Sequence, residues 1–236
     1  MTEKTCAIIL ARGGSKGIPG KNTVDINGWP MFMWSVLAAL EDDVCDSVIV
    51  SSDSSDILKI CSDFNDKRVY PLPRPSCFAG DKSPSELSIL HAIKTCAIKE
   101  EEKIVFLQPT SIFRYGDLIK KCIQEVRSGV SAFTAFPHTP LFWTKYSGNH
   151  ALKQFSSRKM RQEYAEEELA WHDCGNVYSF ISGDFYITAD RHVGNCKIIP
   201  VDKIQSLQID EPIDLELCRK LIENENINTW MKKIAK

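Results

Sequence analysis

Apolar residues along the chain fall into short uninterrupted runs separated by segments of helical periodicity. Cys6–Leu10 is unbroken, the signature of a strand buried on both faces. From Pro30, which suits the first position of a helix, Met31, Met33, Trp34, Leu37 and Leu40 recur at near-helical spacing. Ser47–Ser51 is a β-branched run that reads as a second strand, followed by a helix over 54–64. Lys103–Leu107 reads as a third strand, stopped by Gln108-Pro109, and Val130–Phe136 as a fourth. Strands alternating with helices predict one α/β domain over residues 1–236. The alternation loosens after 136, where Phe142-Trp143, the basic run around Arg158–Arg161 and acidic Glu166–Glu168 follow one another. It resumes in an amphipathic helix carrying Leu215, Leu217, Cys218, Leu221 and Ile222.

Residues 71–86 are too rich in proline for a helix or a central strand and read as a lid or binding loop. Ser83-Pro84-Ser85-Glu86 closes it as a capping box with proline at the first helical position, and Ile89, Ile93 and Cys96 then fall on one helical face.

The chemistry concentrates in the turn after the first strand. Gly13, Gly14, Gly17 and Gly20 alternate there with Arg12, Lys16 and Lys21. Glycines let backbone N–H groups approach an anion and tolerate positive φ, while the cations offset phosphate charge, so the turn reads as a cradle for several phosphates. It is not a Walker loop: Ser15 stands where the first glycine belongs and Asn22 where Ser or Thr should follow Lys21. Nor is there a Gly-x-Gly-x-x-Gly dinucleotide fingerprint.

Ile9-Leu-Ala-Arg-Gly-Gly-Ser-Lys-Gly-Ile-Pro-Gly-Lys-Asn22, with Leu107-Gln-Pro-Thr-Ser111, resembles the cytidylyltransferases that activate sialic acid and related nonulosonic acids, and more distantly those that activate Kdo. The resemblance runs over about residues 5–222 and is tightest at 8–22 and 104–114. It implies a three-layer nucleotidyltransferase-like sheet, mostly parallel, with helices on both faces and a dimerisation arm at about 137–180. It implies transfer of CMP from CTP to the anomeric hydroxyl of a nine-carbon sugar acid, with Arg12 and Lys21 catalytic. Ala11, Gly13, Gly14, Ser15, Lys16 and Asn22 are expected to bind nucleotide, with Arg74 and Ser85 at the cytosine. Gln108 and Arg161 are expected at the sugar acid, Arg114 in organising the site, and Asp210 at Mg²⁺ or Mn²⁺.

Three departures from the family pattern matter. Gln208 replaces the first of two family aspartates, leaving Asp210 as the strong carboxylate, because a neutral carboxamide ligates a hard cation weakly. The arm keeps Arg161-Gln162 without the following Leu-Pro, and Cys174 stands in place of an asparagine in His172-Asp-Cys-Gly-Asn-Val-Tyr178, a segment nearer to pseudaminate-activating members. Asp53 stands at the carboxyl end of the second strand, where α/β sheets place ligand sites, and reads equally well as a helix cap; Asp214 reads as a helix cap and His172 as a hydrogen-bonded structural residue.

Bulk properties narrow the partners. Net charge is −2 with 25% charged residues, so no basic field exists for nucleic acid. No apolar run spans a bilayer, and nine cysteines never closer than sixteen residues form no metal knuckle or redox pair. A cytoplasmic protein with cysteines mostly in the core is expected. Two alternatives share the cradle: a nucleotidyltransferase acting on Kdo or a sugar phosphate, and an inactive nucleotide-binding homologue.

Overall fold

The computed structural model describes residues 4–80 and 83–235. Its centre is a seven-stranded sheet in the order β11-β7-β10-β6-β1-β4-β5. The strands are β1 (Thr5–Leu10), β4 (Ser47–Ser52), β5 (Val69–Pro73), β6 (Lys103–Leu107), β7 (Val130–His138), β10 (Ala170–Ile181) and β11 (Asn195–Pro200). Only β10 runs against the others: it pairs antiparallel with β6 and β7, while every other pairing in the sheet is parallel.

Alternation along the central strands divides the core in two. Ala7 and Ile9 of β1, Val48 and Val50 of β4, and Val105 and Leu107 of β6 face one cluster. That cluster is roofed by α1 (Met33–Leu40), α2 (Ser55–Asp63), α4 (Leu118–Glu125), α6 (Pro212–Ile222) and α7 (Glu225–Ile234). Cys6, Ile8, Ile49, Ile104 and Phe106 face the other, covered by α3 (Ser85–Thr95) and α5 (Ser182–Thr188). Helices on both faces are why these strands read as continuous apolar runs. The three-layer, mostly parallel α/β architecture is as expected.

Several local expectations are corrected. Pro30 does not open a helix; it pairs with Asp25 in the small ladder β2 (Asp25–Ile26) and β3 (Trp29–Pro30), and α1 starts at Met33. Pro71 and Pro73 lie in β5, which is tolerable because β5 is an edge strand. The capping box at 83–86 does not form: α3 follows Pro84 without a side-chain cap, and the Ser83 hydroxyl donates to Cys77 O at 3.0 Å. Cys96 is exposed at the end of α3, as are Cys77 and Cys196; the other six cysteines are buried.

Residues 136–173 contribute no buried side chain. They contain a hairpin, β8 (Trp143–Ser147) and β9 (His150–Lys153), exposed at every position, and two single-turn helices at Arg161–Glu163 and Glu166–Glu168. Among the described residues, no helix is long and apolar enough to cross a membrane.

Candidate active site

β1 and β6 are neighbours whose onward connections leave in opposite directions, β1 toward β4 and β6 toward β7 and β10. Crevices at such a switch point, at the carboxyl ends of the strands, are where open α/β sheets bind ligands. A cleft of about 250 Å³ lies there, lined by Leu10, Arg12, Lys21 and Asn22 on one side, Pro109 and Thr110 on another, and Arg74, Phe78, Ser83, Ser85 and Ser88 on a third.

The cradle is built by tethers. Ala11 is buried and continues the β1 ladder by donating to Ser51 O at 3.1 Å. The Gly13 amide donates to Asp53 Oδ1 at 3.0 Å, and the buried Asn22 side chain donates to Arg12 O at 2.8 Å. The N-cap of α2 is Ser54 rather than Asp53, and Asp53 fastens the turn to the end of β4. Gly14, Ser15 and Lys16 form the outer lip, Gly14 and Lys16 exposed and Ser15 half-buried. Positive φ is needed only at Gly20 (φ 60°) among the cradle glycines. Gly17 serves closeness instead: a Cβ there would lie 2.5 Å from the Asp210 carbonyl oxygen.

That approach brings Asp210 to the cradle, where its Oδ1 accepts from Lys21 Nζ at 2.8 Å. Asp210 does not cap α6. The Asp214 carboxylate does so, accepting from the amides of Asp210 at 3.0 Å and Glu211 at 2.8 Å, as its position predicts.

Arg74 lines the same cleft and adjoins the cradle through Asp53. It is buried, its Nη2 is 3.7 Å from Asp53 Oδ1, and its Nε has no hydrogen-bond partner. Burial pulls its pKa below the usual arginine value, with Asp53 opposing that shift. A buried donor without a partner, on the wall of a cleft, is suited to a ligand acceptor. Ser85 stands on the same wall at the start of α3.

Gln108 sits beside the cleft at a bulge in β10. The register of β10 shifts between Asp173 and Tyr178, and Gly175 adopts φ 66°. A Cβ on Gly175 would lie 2.6 Å from Gln108 Oε1 and 2.1 Å from Gln208 Nε2, so two glutamine side chains close over bare backbone. Gln208 donates to Cys174 O, which turns its carboxamide toward the bulge. Arg114 is wholly buried beneath, donating to Gln108 O at 2.7 Å, Asn176 O at 3.1 Å and Ser35 Oγ at 2.9 Å. His172 is exposed on β10, its ring edge-on to His138.

The structure thus brings together Ala11, Arg12, Gly13, Lys21, Asn22, Arg74, Ser85 and Asp210, with Gln108 adjoining. It does not bring Arg161 to this cleft: that residue is exposed in the single-turn helix of the 136–173 segment. Arg191, described below, is absent from the sequence expectations; Phe78 lies in the loop expected to bind, and the tethering role of Asp53 is not among the readings of that residue. Asp81 and Lys82, within the loop expected over 71–86, lie outside the described residues.

A Gly-rich cation cradle at a switch point of a mostly parallel sheet defines a nucleotide-binding α/β protein. The family profile described as cytidylyltransferase matches residues 6–233, and the chain belongs to that family. It is 27% identical over 227 residues to a CMP-N,N'-diacetyllegionaminic acid synthase of Legionella pneumophila, covering 92% of this chain and 95% of the relative. It is 28% identical to a pseudaminic acid cytidylyltransferase of Campylobacter jejuni, covering 74% of this chain and 77% of that one. It is 52% identical to an N-acylneuraminate cytidylyltransferase of Oncorhynchus mykiss, covering 89% of this chain and 48% of that longer protein. In fold it is similar to a CMP:2-keto-3-deoxy-manno-octonic acid synthetase solved with CTP, with TM-score 0.66 at 16% identity over 94% of this chain and 99% of that one.

Proposed function

We propose that the protein transfers CMP from CTP to the anomeric hydroxyl of a nonulosonic acid, releasing pyrophosphate. The observation that carries this reading is the convergence of Arg12 and Lys21 of the cradle, Arg74 of the proline-rich loop and, at the edge of the cleft, Asp210 of the segment before α6, three separated stretches of the chain. The relatives that activate legionaminic, pseudaminic and N-acylneuraminic acids support the acceptor class over Kdo or a sugar phosphate.

In this reading Arg12, Lys16 and Lys21, with the cradle amides, hold the triphosphate. Arg74 and Ser85 meet the cytosine, and Gln108 orients the acceptor. The acceptor supplies the nucleophile, so the protein's contribution is alignment of that hydroxyl with the α-phosphorus and fixed positive charge around the departing pyrophosphate. Arg12 and Lys21 supply that charge.

A divalent cation, Mg²⁺ or Mn²⁺, is part of the proposal. Among the described residues no three His, Cys, Asp or Glu side chains group as a metal site. Asp210 is the carboxylate at hand, and Gln208 faces Cys174 O. This donor set fits a hard cation that keeps its waters and arrives on the triphosphate, with Asp210 as its protein ligand. The ion would add Lewis-acid stabilisation of phosphate charge.

The exposed apolar side chains of the 136–173 segment support a homodimer in which this arm covers the neighbouring copy and carries Arg161 to its acceptor site. Nine cysteines without a disulfide fit a reducing, cytoplasmic setting.

The test is pyrophosphate release with CTP and a panel of legionaminic, pseudaminic, sialic and Kdo acids. Arg12→Ala should lower turnover roughly 30- to 1,000-fold, the equivalent of about 2–4 kcal/mol of transition-state stabilisation. Full turnover by folded Arg12→Ala protein, or CTP binding with no release for any acid, refutes the proposal.

A further inference from the structure

Arg191 lies between α5 and β11, in a stretch that no sequence motif covers, yet its guanidinium is held on every side. It stacks 5.0 Å from the ring centre of Phe106 and 4.8 Å from that of Tyr178. Its Nε donates to Glu86 Oε1 at 3.0 Å, and its Nη2 donates both to that carboxylate and to Ser85 Oγ. The side chain is 13% exposed, so the pair with Glu86 is largely withdrawn from solvent screening.

The consequence falls on Ser85. A guanidinium has donors and no acceptor, so the Ser85 oxygen accepts from Arg191 and the hydroxyl proton must point elsewhere. Its protein acceptor is Glu86 Oε2 at 3.4 Å, a bond long enough for a ligand acceptor at ordinary hydrogen-bond distance to displace, while Arg191 holds the other oxygen, Oε1. Ser85 is therefore presented to the cleft as a hydrogen-bond donor. Arg74 Nε, buried and unpartnered on the same wall, is a second donor. A wall of donors selects a base edge of acceptors. Cytosine offers a carbonyl oxygen and an unprotonated ring nitrogen side by side, where uracil places a ring N–H.

We infer that Arg191 is a positioning residue for base selection, holding Ser85 in the donor state that favours cytosine over uracil. This rests on the reading of the cleft as the CTP site. A purely structural Arg191, fastening α3 to the segment before β11, would affect the fold and act on nucleotide binding independently of Ser85.

The two are separated by measuring CTP and UTP dissociation constants calorimetrically for Ser85→Ala, Arg191→Met, Arg191→Lys and the Ser85→Ala/Arg191→Met double variant. If Arg191 acts through Ser85, each single variant weakens CTP about tenfold, the effect of one lost hydrogen bond, and narrows the CTP-over-UTP preference by a similar factor. The double variant is then no weaker than Ser85→Ala alone. Arg191→Lys, which keeps the cation and loses the planar fork, behaves as Arg191→Met and stands in for it if Met impairs folding. In turnover the loss appears in KM for CTP, with kcat held within about twofold. Equal weakening by Arg191→Met with and without Ser85, or unchanged CTP affinity in both Arg191 variants, overturns the inference and leaves the cleft assignment standing. Unchanged CTP affinity in Ser85→Ala removes Ser85 from the base site, and the inference with it.

Discussion

At the scale of single residues, Arg114 shows how the fold spends stability on site geometry. Its guanidinium is fully enclosed, with the carbonyls of Gln108 and Asn176 and the hydroxyl of Ser35 where a buried cation ordinarily meets a carboxylate. Burial pulls its pKa down to about 9, a measure of how strongly the surroundings disfavour the charge. What the arrangement secures is the position of two backbone carbonyls, that of Gln108 itself, just beyond β6, and that of Asn176 at the bulge in β10. Arg114→Met removes the buried charge but strands those carbonyls, each costing about 1–3 kcal/mol, so a net loss of about 2–4 kcal/mol in unfolding free energy is expected. Denaturant titration measures it. Because Gln108 loses its support, KM for the sugar acid should rise more than KM for CTP; equal stability in the variant would show that the carbonyls find water or new donors.

At the scale of elements, the strands buried on both faces were legible because continuous apolar runs such as Cys6–Leu10 and Lys103–Leu107 require burial on both sides. β5 was hidden by Pro71 and Pro73, which are admissible only because it is an edge. The helix cap at Ser83 was misread because a hydroxyl has several backbone partners within reach and local pattern does not rank them. The cradle was legible as glycines and cations, but not the contacts that fix the cleft: Asp53, which tethers the cradle, and Arg191, which holds the start of α3, acquire their roles through partners 40 and 105 residues away in sequence. The junction of the cradle with the segment before α6 belongs to the same class. Gly17 packs on the Asp210 carbonyl while Lys21 holds its carboxylate. Asp214 already caps α6, and Asp210 is 59% exposed on its side chain, so Asp210→Asn should shift unfolding by less than about 1 kcal/mol. Turnover should nevertheless fall by roughly two orders of magnitude or more, with the Mn²⁺ requirement, read by electron paramagnetic resonance in the presence of CTP, displaced to higher concentration. Wild-type turnover and metal titration in Asp210→Asn would remove Asp210 from the metal site.

At the scale of the whole molecule, the contrast is between a body with two closed cores and a 136–173 segment that gives neither core a buried residue. Phe142, Trp143, Tyr146, Leu152 and Met160 of that segment are each at least 50% exposed, a concentration of large apolar surface that a second copy would cover. Arg161 lies in the same segment. A dimer completed by exchange of arms makes a prediction that neither a monomer nor a dimer of independent sites shares. Arg12→Ala disables the cradle of its own chain, whereas Arg161→Ala disables the acceptor pocket of the partner. Mixed in equal amounts and allowed to exchange subunits, half of the dimers are heterodimers. Each heterodimer then has one site carrying both defects and one site carrying none. About a quarter of wild-type activity should therefore return from two impaired proteins, the proportion that two-fold symmetry dictates. Light scattering at assay concentration establishes the dimer, and Trp143→Glu, by placing a charge in the covered face, should shift it toward monomer while leaving CTP affinity intact. Sites confined to one chain would show only the sum of the two residual activities, and a fully active wild-type monomer would dismiss the arm from the reaction altogether.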